Sequence, residues 1–423
     1  MRRNGFIARD MANAPLKLLV LGDTPTGETG FARVIKNLLK RWHKAQNPKG
    51  PFDFVDWWAI GYQGDPCLAQ RLYNLYPAGG YEWMQEKNLS RFITRVKNGG
   101  YSHIFLLQDH FQLSQDFASA LMDVAQVAGT HVTFYTPVDA PVESQWVGMV
   151  KAADLAVTYT EYARKELIKA GVKREIAIVP HGTDFDVYKP LPAEAHDKNR
   201  EQIFGDWVTP DDTVMVNVST NQRRKGLYST FQVQRQMLDD GFPTKLLMHM
   251  PMEAPQEMTH LDLVAKQFGL KRGIHYKDTG DHFTGKKKRL TEAELNCIYN
   301  ASDVLISTSL GEGWCLPVTE GLAAGVPLLA IPDNTAVREI ADTVQRIGVG
   351  VGSRIALLPQ CKTGFVNMAD NSRVRYAVDV PGSAKAIMGC LPLSRKREAP
   401  NAAVKEWLDW DRIANEFLRL MLK

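Results

Sequence analysis

The chain has 423 residues, more than one ordinary domain holds, and a norm of about 150 residues per domain makes two units the simplest reading. Hydrophobic residues make up 44% and charged residues 23%, which supports large cores and excludes wholesale disorder. The net charge of +4 permits an anionic partner without requiring one, and five scattered cysteines with no CxxC pair fit reduced thiols in a cytoplasmic protein rather than a disulfide framework.

The opening MRRNGFIARDMANAP is basic at Arg2 and Arg3 but carries no apolar stretch, so no signal peptide is expected; later apolar runs fall far short of the roughly 20 residues that cross a bilayer. LKLLVLG at 16–22 reads as a strand and Phe31 to Trp42 as a helix. The loop between them holds Gly27 and Gly30, which would let the backbone approach a phosphate or sugar; an ordinary turn uses such glycines too. The aromatic stretch Trp57, Trp58, Tyr62, Tyr73, Tyr76, Tyr81 and Trp83 suits either stacking on sugar rings or bases, or core packing. HIFLLQ at 103–108 is a strand ending in Asp109 and His110, which are candidate contacts to a sugar or acceptor and equally ordinary strand-end residues. HVTFYTPV at 131–138, followed by Asp139, and LAVTYT at 155–160 extend the series.

A proline-bearing, charged segment, VPHGTDFDVYKPLPAEAHDKNREQIFG, reads as a connection, placing a first domain at 1–190 and a second at 191–400. Strands restart at TVMVNVST (213–220) and continue at 244–250, 303–308 and 326–331. VKEWLDWDRIANEFLRLML is read as one amphipathic terminal helix within 401–423. Strands alternating with helices predict an α/β fold, with two doubly wound parallel sheets and ligands at a cleft between their carboxyl ends. Asp184-Phe-Asp186 could be a metal-binding DxD, but Asp409-Trp-Asp411 repeats the pattern in the terminal helix, so it is read as chance and no metal is expected.

The most informative run is Ser309-Leu-Gly-Glu-Gly-Trp-Cys-Leu-Pro-Val-Thr-Glu320, which follows a strand and opens a helix near Pro317. The amides from Gly313 to Leu316 and that of Val318 are expected to be free, giving with the helix dipole an anion site suited to a diphosphate. Glu312 and Glu320 bracket it, and carboxylates accept paired hydrogen bonds from vicinal hydroxyls; a loop acid and a first-turn acid are the plainer alternative. GEGWCLPVTEGLAAGVPLLA resembles the E-x7-E signature of family-four retaining glycosyltransferases, which are GT-B proteins with two Rossmann-like domains facing a central cleft. The resemblance implies that Glu312 meets the donor sugar, that the amides of Gly313, Trp314, Cys315 and Leu316 meet the diphosphate, and that Glu320 holds the ribose.

VNVSTNQRRKGL at 216–227 is a second match. It implies Asn221 in donor binding and Arg224 and Lys225 as cations on the diphosphate, where a solvated basic turn is the plainer alternative. Thr220 stands where the family usually has an arginine, leaving Arg223 or Arg224 to take that role. The loop with Gly27 and Gly30 resembles the family's glycine loop facing the donor, and the terminal helix resembles one that crosses back onto the first domain. The implied activity is transfer of a hexose-type sugar from a nucleotide diphosphate donor to a hydroxyl of a glycan or small molecule, with retention and no cofactor. Two alternatives stay open: a transferase acting on hydroxylated DNA bases, and a non-catalytic nucleotide-sugar-binding module. Solvated surface is the plainer reading of Lys286 to Arg289 and Arg395 to Arg397, with DNA or a peripheral membrane contact as the alternatives.

Overall fold

The structure is a computed structural model of the full chain, described for residues 15–27, 29–80, 84–254, 259–282, 290–348, 353–367, 372–391 and 397–423. It forms two compact units. One runs to Val138, resumes at Val142–His181 and takes in Trp410–Lys423; the other comprises Asp139–Pro141 and Gly182–Asp409. No helix among the described residues is long and apolar enough to cross a membrane.

The first unit is built on seven strands: β1 (Leu16–Asp23), β2 (Phe52–Ile60), β3 (Asn74–Pro77), β4 (His103–Leu107), β5 (His131–Thr136), β6 (Leu155–Thr158) and β7 (Ala177–Ile178). They pair in the order β3-β2-β1-β4-β5-β6-β7, all parallel. Leu18 to Leu21 and Ile104 to Leu107 are buried, as a parallel sheet covered on both faces requires.

The described part of the aromatic stretch packs into the core or, at Tyr76, against it. Trp57, Trp58, Tyr62 and Tyr73 are buried, and the Trp57 and Trp58 rings pack edge-on against Tyr73 and Phe92 at 5.5 and 5.7 Å. Tyr81 and Trp83 lie outside the described residues. Asp56, buried in the middle of β2, is satisfied by Tyr101 Oη (2.5 Å), Arg95 Nη2 (2.8 Å) and Asn74 Nδ2 (2.8 Å). Burial pushes its carboxyl up, yet these donors bring it below the ordinary range.

The terminal segment is two helices, Ala402–Trp407 and Trp410–Met421, rather than one. The Thr183 amide donates to the Leu408 carbonyl at 2.9 Å, taking the acceptor that a continuous helix would have used. The second helix belongs to the first unit. Its Phe417 meets Trp42, Phe105 and Tyr135 at ring distances of 5.6, 5.7 and 4.8 Å, and Trp42 Nε1 donates to the Ala414 carbonyl at 3.1 Å.

The second unit carries β8 (Thr213–Val218), β9 (Thr244–His249), the short pair β10 (Glu253–Ala254) and β11 (Thr259–His260), β12 (Tyr276–Asp278), β13 (Val304–Ile306), β14 (Leu328–Pro332) and β15 (Arg354–Leu358). Its main sheet is parallel in the order β12-β9-β8-β13-β14-β15. An antiparallel hairpin of β16 (Phe365–Asn367) and β17 (Arg373–Arg375) follows it. Met215, Leu246, Val304, Leu328 and Phe231 form the core. β8 and β13 are neighbours, so the loops leaving their carboxyl ends, 219–226 and 307–315, emerge side by side.

Candidate active site

The loop after β8 turns at Arg223–Lys225 and passes through Gly226 into the helix Leu227–Asp239. Gly226 has φ +57, and a Cβ there would collide with the Thr308 carbonyl oxygen. Only glycine lets this turn lie against the loop after β13. The Leu310 amide then donates to the Arg224 carbonyl at 2.8 Å, tying the two loops together.

This contact brings three of the expected residues into one network. Lys225 Nζ lies 2.6 Å from Glu312 Oε1, Arg224 Nη1 lies 3.1 Å from Glu312 Oε2, and Arg224 Nη1 also donates to the Gly311 carbonyl at 2.6 Å. Glu312 is buried. Burial alone would raise its carboxyl, but the charges of Lys225 and Arg224 outweigh it and hold the group at about 2, so it is ionised at neutral pH. Its backbone amide donates to Thr335 Oγ1 at 2.9 Å. Thr335 has φ 41, and the Asn334 side-chain amide beside it donates to the Ser309 carbonyl at 3.0 Å. Strained backbone thus fixes Glu312 from behind.

The helix Leu316–Ala323 opens on Cys315, which has φ 87 and ψ 74, a left-handed conformation uncommon for a residue with a side chain. Burial and then the Glu312 charge push its thiol up to about 12. Among the described residues, no hydrogen bond engages the amides of Gly313, Cys315 or Leu316. The Val318 amide is different from expectation: it donates to the Cys315 carbonyl at 3.1 Å, closing the first turn, and is unavailable to a ligand. Glu320 is buried and accepts from Tyr299 Oη at 2.9 Å. Trp314 is buried against Trp407 at 5.8 Å. The Asn221 side-chain amide donates to the Pro251 and Met252 carbonyls at 3.0 and 3.3 Å, joining the loops after β8 and β9.

Gly27, Gly30, Asp109 and His110 sit in the first unit at the carboxyl ends of the paired strands β1 and β4. The Gly27 amide closes a turn on the Thr24 carbonyl at 2.9 Å, and Gly30 is the first residue of the helix Gly30–Trp42. That helix is capped by Thr29, whose hydroxyl also donates to Asp23 Oδ2 at 2.5 Å. His110 is buried with Nδ1 3.1 Å from the Pro137 carbonyl, while Asp109 stands beside it, partly exposed. Asp184 Oδ1 accepts from the Asp186 and Val187 amides at 3.0 and 3.3 Å, shaping its own turn. Lys286 to Arg289, Arg395 and Lys396 lie outside the described residues, and Arg397 Nε donates to His196 Nε2 at 2.7 Å.

No sequence motif gives a role to Arg373 or Arg375, and Asp139 is read only as the residue that follows the strand run at 131–138. In the second unit Asp139 Oδ1 accepts from Arg373 Nη1 at 3.0 Å and Arg375 Nη2 at 3.1 Å, and its Oδ2 lies 3.2 Å from Arg224 Nε. Burial would raise the Asp139 carboxyl, but Arg224, Arg375 and Arg373 hold it at about 2. The available signal was the Arg-Val-Arg alternation at 373–375, which sets two cations on one strand face.

No protein-family profile matches the chain, and no curated protein sequence matches it. Solved structures do. OtsA, a trehalose-6-phosphate synthase, superposes with a TM-score of 0.64 at 15% identity over 96% of this chain and 99% of its own. The chain has the GT-B fold. HepE of Anabaena, solved in complex with UDP and glucose, gives 0.60 at 13% identity over 95% of each chain. The lipopolysaccharide outer core galactosyltransferase WaaB, in its apo form, gives 0.59 at 11% identity over 96% of this chain and 99% of its own. In this GT-B chain the Rossmann-like unit with the Glu312 network is the one that begins its sheet at β8.

Proposed function

We propose that the chain is a retaining glycosyltransferase that moves a hexose-type sugar from a nucleotide diphosphate donor to a hydroxyl of a glycan or small-molecule acceptor. The observation that carries this reading is the meeting of Lys225 and Arg224 on buried, ionised Glu312 beside the helix mouth at Cys315 and Leu316. A diphosphate would take the amides of Gly313, Cys315 and Leu316 and share the two cations, and Glu320, one further turn along, would accept from the ribose hydroxyls. Lys225 and Arg224 would then stabilise charge that grows on the leaving nucleotide. The solved GT-B structures support the reading, since one is named a galactosyltransferase, one a trehalose-6-phosphate synthase, and a third was solved with UDP and glucose.

In this scheme the acceptor is handled by the first unit, where Asp109 and His110 close β4. No side chain is assigned as a covalent nucleophile; same-face attack assisted by the leaving phosphate retains the anomer. Anomer-resolved NMR of the product tests this, and an inverted linkage refutes it. Lys225→Ala should lower kcat by about 100-fold with a smaller change in KM, because the charge it stabilises develops in the transition state. The donor is found by a thermal-shift screen of UDP-, GDP-, ADP- and CMP-sugars, in which a ligand of the native state raises Tm. Failure of all four classes to shift Tm at millimolar concentration would refute the reading.

A further inference from the structure

The β16–β17 hairpin is built against the usual rule of burial. Phe365 pairs with Arg375, Val366 with Val374 and Asn367 with Arg373. On β17 the two arginines share one face and Val374 takes the other. The arginine side chains are 4% and 1% exposed, whereas Val374 and Val366 are 48% and 54% exposed as residues. A strand that turns its charges inward and its valines outward gives up apolar burial and desolvates two guanidinium groups. Packing alone does not account for such a choice.

What the inward face meets is the loop set of the candidate site. Arg373 and Arg375 both reach Asp139 Oδ1, and Arg375 Nη1 also donates to the Asp139 backbone carbonyl. Asp139 Oδ2 holds Arg224 Nε, and the same Arg224 reaches across to Glu312, which holds Lys225. The chain of contacts is therefore Arg373 and Arg375, Asp139, Arg224, Glu312, Lys225: four cations threaded on two carboxylates. Gly311 makes the passage, because a Cβ at that position would strike the Asp139 carbonyl and Arg375 Nη1.

We propose that Arg373 and Arg375 extend the donor site electrostatically: the diphosphate of the donor is met by Lys225 and Arg224, Asp139 is the positioning residue that aims Arg224, and the arginine pair stands behind it as the rest of a four-cation cluster. This rests on the proposed donor site. The forks of Arg373 and Arg375 are taken up by Asp139, so what the pair adds is charge, which persists at any working pH. A diphosphate entering beside Lys225 would meet Arg224 already oriented, with the arginine pair behind it supplying further positive potential in a poorly solvated place.

The test uses the full chain and two probes, inorganic pyrophosphate and UDP, by calorimetric titration. Arg373→Gln and Arg375→Gln are each expected to weaken pyrophosphate by about tenfold or more, and Arg375→Lys, which keeps the charge, to recover most of that loss. Arg338→Gln, on an exposed helix, should leave both affinities unchanged. Folded Arg→Gln variants that bind pyrophosphate within twofold of the parent would overturn the proposal while leaving the donor site standing. A parent chain that binds neither probe would overturn both. Because a buried arginine can be needed for folding, the parent alone gives a second reading by hydrogen–deuterium exchange. Pyrophosphate should slow amide exchange in peptides covering Phe365–Asn367 and Arg373–Arg375, and unchanged exchange there with pyrophosphate bound would overturn the proposal.

Discussion

Replacing Glu312 by glutamine keeps the size of the side chain and removes the charge that Lys225 and Arg224 share. The carboxyl is displaced from an ordinary 4.5 to about 2. At about 1.4 kcal/mol per pH unit of displacement, the ionised form contributes about 3 kcal/mol to the second unit at neutral pH. Because the folded-state value lies below the unfolded one, this contribution is complete above about pH 4.5 and is lost as pH falls through about 2. Glu312→Gln should therefore be less stable than the parent by about 3 kcal/mol at pH 7 and by about 2 kcal/mol at pH 3.5. Urea unfolding of both proteins at the two pH values, fitted for the transition of the second unit, measures the gap. A gap below about 1 kcal/mol at pH 7, or one that does not narrow at pH 3.5, would refute the claim that an ionised Glu312 anchors the two cations.

Two backbone positions give further expectations. Gly226→Ala places a Cβ against the Thr308 carbonyl at φ +57 and should cost about 2 kcal/mol or more, seen as a lowered Tm; an unchanged Tm would mean that the two loops are not held together there. Cys315→Gly relieves a left-handed cysteine and should leave Tm unchanged or raise it, while Cys315→Val, β-branched at φ 87, should lower it. The same loss from both variants would show that the thiol, not the backbone, sets this position.

The readable parts of this sequence were those in which the local pattern and the fold demand the same thing. β1 and β4 carry continuous apolar runs, Leu18 to Leu21 and Ile104 to Leu107, because both faces of a parallel sheet are covered, and the Pro317 helix start reads directly from residue chemistry. β2 was hidden because Asp56 interrupts its apolar run, and only Arg95, Tyr101 and Asn74, distant in sequence, make that acid compatible with a core. The break at Leu408 depends on the Thr183 amide, more than 200 residues away, which no helical periodicity encodes. The amide of Val318 was assigned to a ligand although Cys315, by turning left-handed, offers it a carbonyl. Arg224, Lys225 and Glu312 were found because both motifs carry them. Arg373 and Arg375 were not, since their meaning lies in a contact with Asp139 across 234 and 236 residues of chain.

The most direct test of the whole account is a crystal structure of the chain with a bound nucleoside diphosphate. The diphosphate is expected within hydrogen-bond distance of the Gly313, Cys315 and Leu316 amides and of Lys225 Nζ, with the ribose hydroxyls on Glu320. A diphosphate bound away from this loop, with Lys225 still closed on Glu312, would contradict it.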